Sequence, residues 1–157
     1  MTPQLQAELI QRYPKFFRAP GKRLVDPDPE YQSSSDSHFE EDRGPCDEHG
    51  IECGDGWIAL IDRLCLACEI EIEGLIGLGV SKERWPRVGQ VKEKMGSLRF
   101  YVTGRTSDTL RNQIATAERE SRSVCEQCGA PGLLRDGRWR HTYCDICHAG
   151  HVARRRH

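Results

Sequence analysis

The chain has 157 residues and a mass of 17.9 kDa, room for one compact domain with a small appended lobe and too little for a large two-domain enzyme. Hydrophobic residues make up 37% and charged residues 30%, so the chain is polar but can still bury a modest core, which excludes wholesale disorder. No apolar run approaches the ~20 residues that cross a bilayer, and residues 1–10 lack a basic segment followed by an apolar one, so the sequence reads as cytoplasmic with no membrane partner.

The net charge of −1 hides a polarity. Residues 1–78 carry 7 Lys/Arg against 16 Asp/Glu, and residues 79–157 carry 16 against 8, a −9 half joined to a +8 half. A partner can read such a split, or the halves can neutralise each other on folding.

Residues 1–18 predict an N-terminal helix, with Leu5, Leu9, Tyr13 and Phe16/Phe17 near the helical period, Pro3 at a tolerated first-turn position and Pro14 ending it. Residues 19–48, with Pro20, Gly21, Pro27, Pro29, Ser33–Ser35 and the acids from Asp36 to Asp42, have no periodicity and read as a loop or mobile linker. Order resumes in Cys53-Gly54-Asp55-Gly56-Trp57. Asp55 is placed to cap a helix whose apolar face is Trp57, Leu60, Ile61, Leu64, Cys65, Cys68 and Ile72, with Gly74, Gly77 and Gly79 at its end.

Beyond Trp85-Pro86 the period becomes two. Val88–Glu93 and Leu98–Thr103 predict a hairpin around Lys94-Met95-Gly96-Ser97, with Leu98, Phe100 and Val102 on a buried face and Arg99, Tyr101 and Thr103 on a cationic, aromatic one. A second helix is expected over Ser107–Ser123, carrying Leu110, Ile114, Ala117, Ser121 and Val124 on one stripe, with Glu118 and Arg122 paired outside. The helix, hairpin and helix make an α+β core over 49–123.

The eight cysteines divide by spacing. Cys125, Cys128, Cys144 and Cys147 form C-x2-C-x15-C-x2-C, the pattern of a four-thiolate zinc site: two residues between ligands let one tight turn present both sulfurs to the same ion. The Leu133–Arg140 stretch, turning at Asp136-Gly137, predicts a hairpin returning the second pair to the first. A structural Zn²⁺ in a C-terminal zinc-ribbon lobe over 124–148 follows, with a basic tail over 149–157. His141, His148, His151 and His157 lie nearby; one of them could replace a cysteine as ligand or hydrogen-bond a sulfur, against the plainer reading of exposed histidines. Cys46, His49 and Cys53, with Cys65 and Cys68 one turn apart on the core helix, allow a second metal site to be drawn, against the plainer reading of loop and core thiols.

No phosphate-binding glycine loop, nucleophile elbow or HExxH motif is present, so no catalytic residue is assigned. A nuclease of the HNH type would need a histidine base with an Asn or His nearby, and the single asparagine, Asn112, falls far upstream on a helix. Arg135, Arg138, Trp139 and Arg140 on the ribbon hairpin, with Arg154–Arg156 beyond, suit phosphates and a stacked base, whereas the pI of 6.6 argues against a long polyanion. Nucleic acid is thus the alternative partner.

The ordered run Tyr13-Pro14-Lys15-Phe16-Phe17, Cys53-Gly54-Asp55-Gly56-Trp57 with Leu60-Ile61, Val91-Lys92-Glu93-Lys94-Met95-Gly96-Ser97-Leu98-Arg99-Phe100-Tyr101, Cys125-Glu126-Gln127-Cys128-Gly129 and Cys144-Asp145-Ile146-Cys147 resembles a family of small phage and prophage proteins. The resemblance covers most of the chain outside about 20–45. It implies a phage accessory protein with a C-terminal zinc-binding segment, brings no catalytic residues with it, and points to a host protein, defence systems included, as partner.

Overall fold

The structure is a computed structural model and describes residues 1–18, 50–137 and 139–154. The elements run α1 (Pro3–Arg12), β1 (Ile51–Glu52), α2 (Ile58–Gly77), β2 (Arg87–Lys94), β3 (Ser97–Thr103), α3 (Asp108–Glu120), β4 (Leu133–Arg135), β5 (His141–Tyr143) and α4 (Asp145–Arg154), with single 3-10 turns at Asp55–Trp57, Lys82–Arg84 and Ser121–Ser123. The fold is α+β, and the expected linker over 19–48 lies outside the described residues. Among them no helix is long and apolar enough to cross a membrane.

The core forms where the two periodicities meet. Ile61, Leu64, Cys65, Cys68 and Ile72 of α2 pack with Val91, Leu98 and Phe100 of the sheet, and Leu110 and Ala117 of α3 close the cluster. The sheet has the order β1-β2-β3: β2 and β3 are antiparallel, and the two-residue β1 pairs parallel to β2 with Ile51 opposite Val91. The β2–β3 turn is Met95-Gly96, both with positive φ (56° and 76°), the backbone of the tight turn whose twist suits a hairpin. A bulge between Val88 and Gln90 keeps Val88 and Val91 both on the inner face.

The edges are closed by side chains. The Leu98 amide donates to Ser121 Oγ (2.9 Å) and the Phe100 amide to Glu118 Oε1 (3.1 Å), so the free edge of β3 is capped from α3. This corrects the expected Glu118–Arg122 pair: Glu118 turns inward because a strand edge with unpaired amides costs more than a solvated ion pair returns. On the opposite side the Tyr13–Phe17 segment joins the core. Phe16 is fully buried and stacks on Phe100 with ring centroids 5.7 Å apart, while the Val88 amide donates to its carbonyl at 3.1 Å. Glu69 Oε1 accepts from the amides of Lys15 (2.8 Å) and Phe16 (2.9 Å), and Arg18 donates to the carbonyls of Lys15, Lys82, Trp85 and Pro86.

Phe16→Ala should therefore destabilise the fold by about 3–5 kcal/mol through the cavity it leaves against Phe100. Equilibrium urea unfolding checks this, with the midpoint falling and the slope unchanged.

Candidate metal centre

A knuckle, a hairpin and a helix build the site. Val124 bridges to Pro131, the Cys125 amide donates to the Ala130 carbonyl (2.7 Å), and the Gly129 amide donates back to the Cys125 carbonyl (2.8 Å), closing the first knuckle with Gly129 at φ 76°. β4 and β5 pair antiparallel from Leu133–Tyr143 to Arg135–His141 and deliver Cys144 beside that knuckle. Cys147 lies in the first turn of α4. The expected basic tail is thus helical as far as Arg154, because Asp145 opens a helix at the second cysteine pair and Arg154 lies at its C-terminal end, each the charge its end favours.

The sulfurs of Cys125, Cys128, Cys144 and Cys147 all lie within 4.8 Å of one another. Tetrahedral zinc–sulfur bonds of about 2.3 Å set sulfur–sulfur edges of about 3.8 Å, and Cys128 and Cys144 are 3.7 Å apart. The four donors fit one tetrahedral ion. Backbone amides support them as well: Cys147 N–H points at Cys144 Sγ (3.4 Å), and His148 N–H closes the turn onto the Cys144 carbonyl (2.9 Å).

Without a cation, four sulfurs this close cannot all ionise, and they share protons unequally. Burial opposes ionisation of Cys125, but the amides of Cys144, Cys128 and Gln127 outweigh it and bring that thiol down to about 7. At Cys128 an Ala130 amide favours the thiolate, yet the neighbouring Cys125 sulfur leaves the net shift upward. Cys147 is pushed up to about 12, chiefly by the Cys144 sulfur. A metal must displace these protons.

The remaining candidates separate cleanly. Cys65 and Cys68 are fully buried and Cys53 nearly so; burial pushes Cys53 up to about 12 and raises Cys68 further, as expected for protonated core thiols. Among the described residues only the C-terminal four cysteines form a metal-ligating cluster, and Cys46 and His49 lie outside those residues. His141 stacks on Tyr143 (5.1 Å) and lies 5.0 Å from the His151 ring. Of the ribbon contacts, Arg135 donates to the Tyr143 carbonyl (3.2 Å) and pairs with Asp145 (2.5 Å), Arg140 pairs with Asp136 (3.3 Å), Trp139 is 62% exposed, and Arg138 is outside the described residues.

The first knuckle packs against the turn that leads into the core helix, a feature the pattern of cysteines did not reveal: Cys125 is buried there, Cys144 and Cys147 are half-buried and Cys128 is exposed. The Gly56 amide donates to the Glu126 carbonyl (2.7 Å), the Gly54 amide to Glu126 Oε1 (3.0 Å), and Trp57 Nε1 to the Val124 carbonyl (2.8 Å). A Cβ on Gly54 would overlap the Glu126 carbonyl, and one on Gly56 the Cys125 carbonyl and the Gly129 amide. Gly-Asp-Gly-Trp is therefore a docking turn. Asp55 caps no helix; its Oδ1 accepts from the Thr2 amide at 2.6 Å, and α2 starts only at Ile58. The β2–β3 turn docks on the other flank, where the Thr142 hydroxyl donates to the Gly96 carbonyl (2.6 Å) and Leu134 covers Gly96.

Scans of protein-family models, curated proteins and solved structures return no match to this chain.

Two outcomes follow from this geometry. Gly56→Ala should lower both thermal stability, by about 1–3 kcal/mol or more, and metal affinity, whereas Gly74→Ala, whose Cβ meets nothing within 4 Å, should stabilise α2 by about 0.5–1 kcal/mol. Metal binding should also release protons at neutral pH and above, since Cys128 and Cys147 are still protonated where Cys125 ionises, so that apparent affinity rises with pH, which calorimetry in buffers of different ionisation enthalpy reads directly.

Proposed function

We propose that this chain is a non-enzymatic binding module, a phage accessory protein held together by one structural zinc ion, that acts by engaging a host macromolecule such as a defence or regulatory complex. The observation that carries the reading is the closed four-sulfur cluster whose first knuckle packs against the turn into the core helix. Four protein thiolates complete a tetrahedral shell and leave no open position for a substrate or water, and soft sulfur donors in that geometry favour zinc. The phage and host elements rest on the sequence resemblance.

Two features speak against catalysis. Asn112 is exposed on α3 and hydrogen-bonds to no histidine among the described residues, and the His141 ring is engaged by Tyr143 and His151. The ribbon as a nucleic-acid surface is weakened by the pairing of Arg135 with Asp145 and of Arg140 with Asp136, which, among the described residues of its predicted contact set, leaves Trp139 exposed and outside any ion pair.

Elemental analysis of the purified protein should find one zinc per chain, with loss of the metal in Cys128→Ser/Cys144→Ser. Supercoiled plasmid with Mg²⁺ or Mn²⁺ should remain intact. Nicking that disappears on His141→Ala would contradict the non-enzymatic reading, and a metal-free protein with unchanged thermal unfolding would contradict the structural zinc.

A further inference from the structure

The outer face of the three-stranded sheet, opposite the core, carries Arg87, Gln90, Lys92 and Lys94 from β2, Arg99, Tyr101 and Thr103 from β3, and Glu52 from β1. It is open to solvent: Tyr101 is 46% exposed, Lys94, Thr103 and Glu52 are exposed, and Lys92 and Arg99 are half-buried. Four cations face one carboxylate, and that carboxylate is engaged by Gln90 Nε2 at 3.3 Å. Among the described residues none of the four cations forms an ion pair.

Part of this arrangement opposes folding economy, although Arg99 Nη1 also donates to Ser97 Oγ (2.8 Å) and to the Leu98 carbonyl (2.9 Å). Lys92 and Arg99 sit directly opposite each other in the β2–β3 register, a like-charge juxtaposition that costs stability in an antiparallel pair. Lys92 Nζ lies over the Tyr101 ring, 6.0 Å from its centre, so one face of the ring meets a cation and the other is the face a base would stack on. Acidic composition does not offset this, since nine of the sixteen acids in the first half of the chain fall within 19–49; the described residues hold 17 Lys/Arg and 15 Asp/Glu.

We infer that this sheet face binds a short single-stranded nucleic acid, a base stacking on Tyr101 and the flanking phosphates lying against Lys92, Lys94, Arg99 and Arg87. An exposed ring set among cations on a flat sheet meets both needs of a single strand, a π-face for a base and charge for its backbone. A duplex hides its base faces and cannot use the ring. The inference deepens the binding-module reading by naming a partner class and a surface distinct from the ribbon hairpin.

The test is fluorescence anisotropy with labelled 10-nucleotide oligothymidylate, the duplex of the same length, and polyglutamate, added to the full-length metal-loaded protein over a series of salt concentrations. The oligonucleotide should bind more tightly than either competitor. Tyr101→Ala should weaken it about 5- to 150-fold, and Lys92→Gln/Arg99→Gln should lower the slope of log affinity against log salt by about 1.4. The Lys92→Gln/Arg99→Gln protein should remain folded at the assay temperature by far-UV circular dichroism, which separates binding loss from misfolding. No binding at low salt, equal binding of polyglutamate with Tyr101→Ala silent, or binding lost only in Trp139→Ala/Arg140→Ala would each overturn the inference. Those results leave the metal stoichiometry and plasmid assays untouched, so failure here is distinguishable from failure of the binding-module reading.

Discussion

The structure hangs on one close approach: the backbone of Gly54-Asp55-Gly56 against the knuckle from Cys125 to Gly129. No side chain fits between the two strands of chain; Gly56 N–H ends on the Glu126 carbonyl within the knuckle and Trp57 Nε1 on the Val124 carbonyl just before it. The turn is also the immediate entrance to α2, whose inner face is most of the core. Whatever orders the knuckle thereby orders the start of the central helix. Structural zinc in small peptides contributes roughly 10–16 kcal/mol at neutral pH, as much as the whole stability of a typical domain at about 5–15 kcal/mol. With contact this direct, an ion held by the four sulfurs would act on the whole fold.

The distribution of charge follows the same logic of use. The acids of α2 are spent internally: Glu69 caps the backbone of Lys15 and Phe16, and Glu71 accepts from the amide (2.6 Å) and hydroxyl (2.5 Å) of Ser107 at the start of α3. Glu118 closes a strand edge and Glu126 binds the docking turn, where burial raises its carboxyl above the usual range. Among the described residues the cations of the sheet's outer face form no ion pair; Arg99 donates to Ser97 Oγ (2.8 Å) and the Leu98 carbonyl (2.9 Å), and Lys92 lies over the Tyr101 ring. Because so many acids are used inside the fold, positive charge is left on the outer face of the sheet.

Much of this was legible in the sequence because it is local. The 3.6-residue repeat from Trp57 to Ile72, the alternation from Leu98 to Thr103 and the two C-x2-C pairs each state their structure within a short window, and α2, the β2–β3 hairpin and the sulfur cluster follow them. What escaped was non-local. β1 is two residues long and exists only because β2 offers it an edge, and α4 needs the second cysteine pair to anchor a first turn too weakly patterned to announce itself. Asp55 has the residue type of a cap, but its neighbours are glycines because another backbone arrives there, and a paired Gly-x-Gly without a phosphate to cradle was the available signal. Likewise Gly96 served as a turn residue and also as the floor for Leu134 and Thr142.

The central claim, that metal site and core form one cooperative unit, is tested most directly by amide hydrogen exchange on the full chain before and after chelation. Removal of the metal should abolish protection at Ile61–Ile72 of α2 and at Leu98 and Phe100 of β3 together with that of the knuckle. Retained protection in α2 and β3, with exchange gained only over 124–154, would show the lobe to be an appendage and contradict the claim.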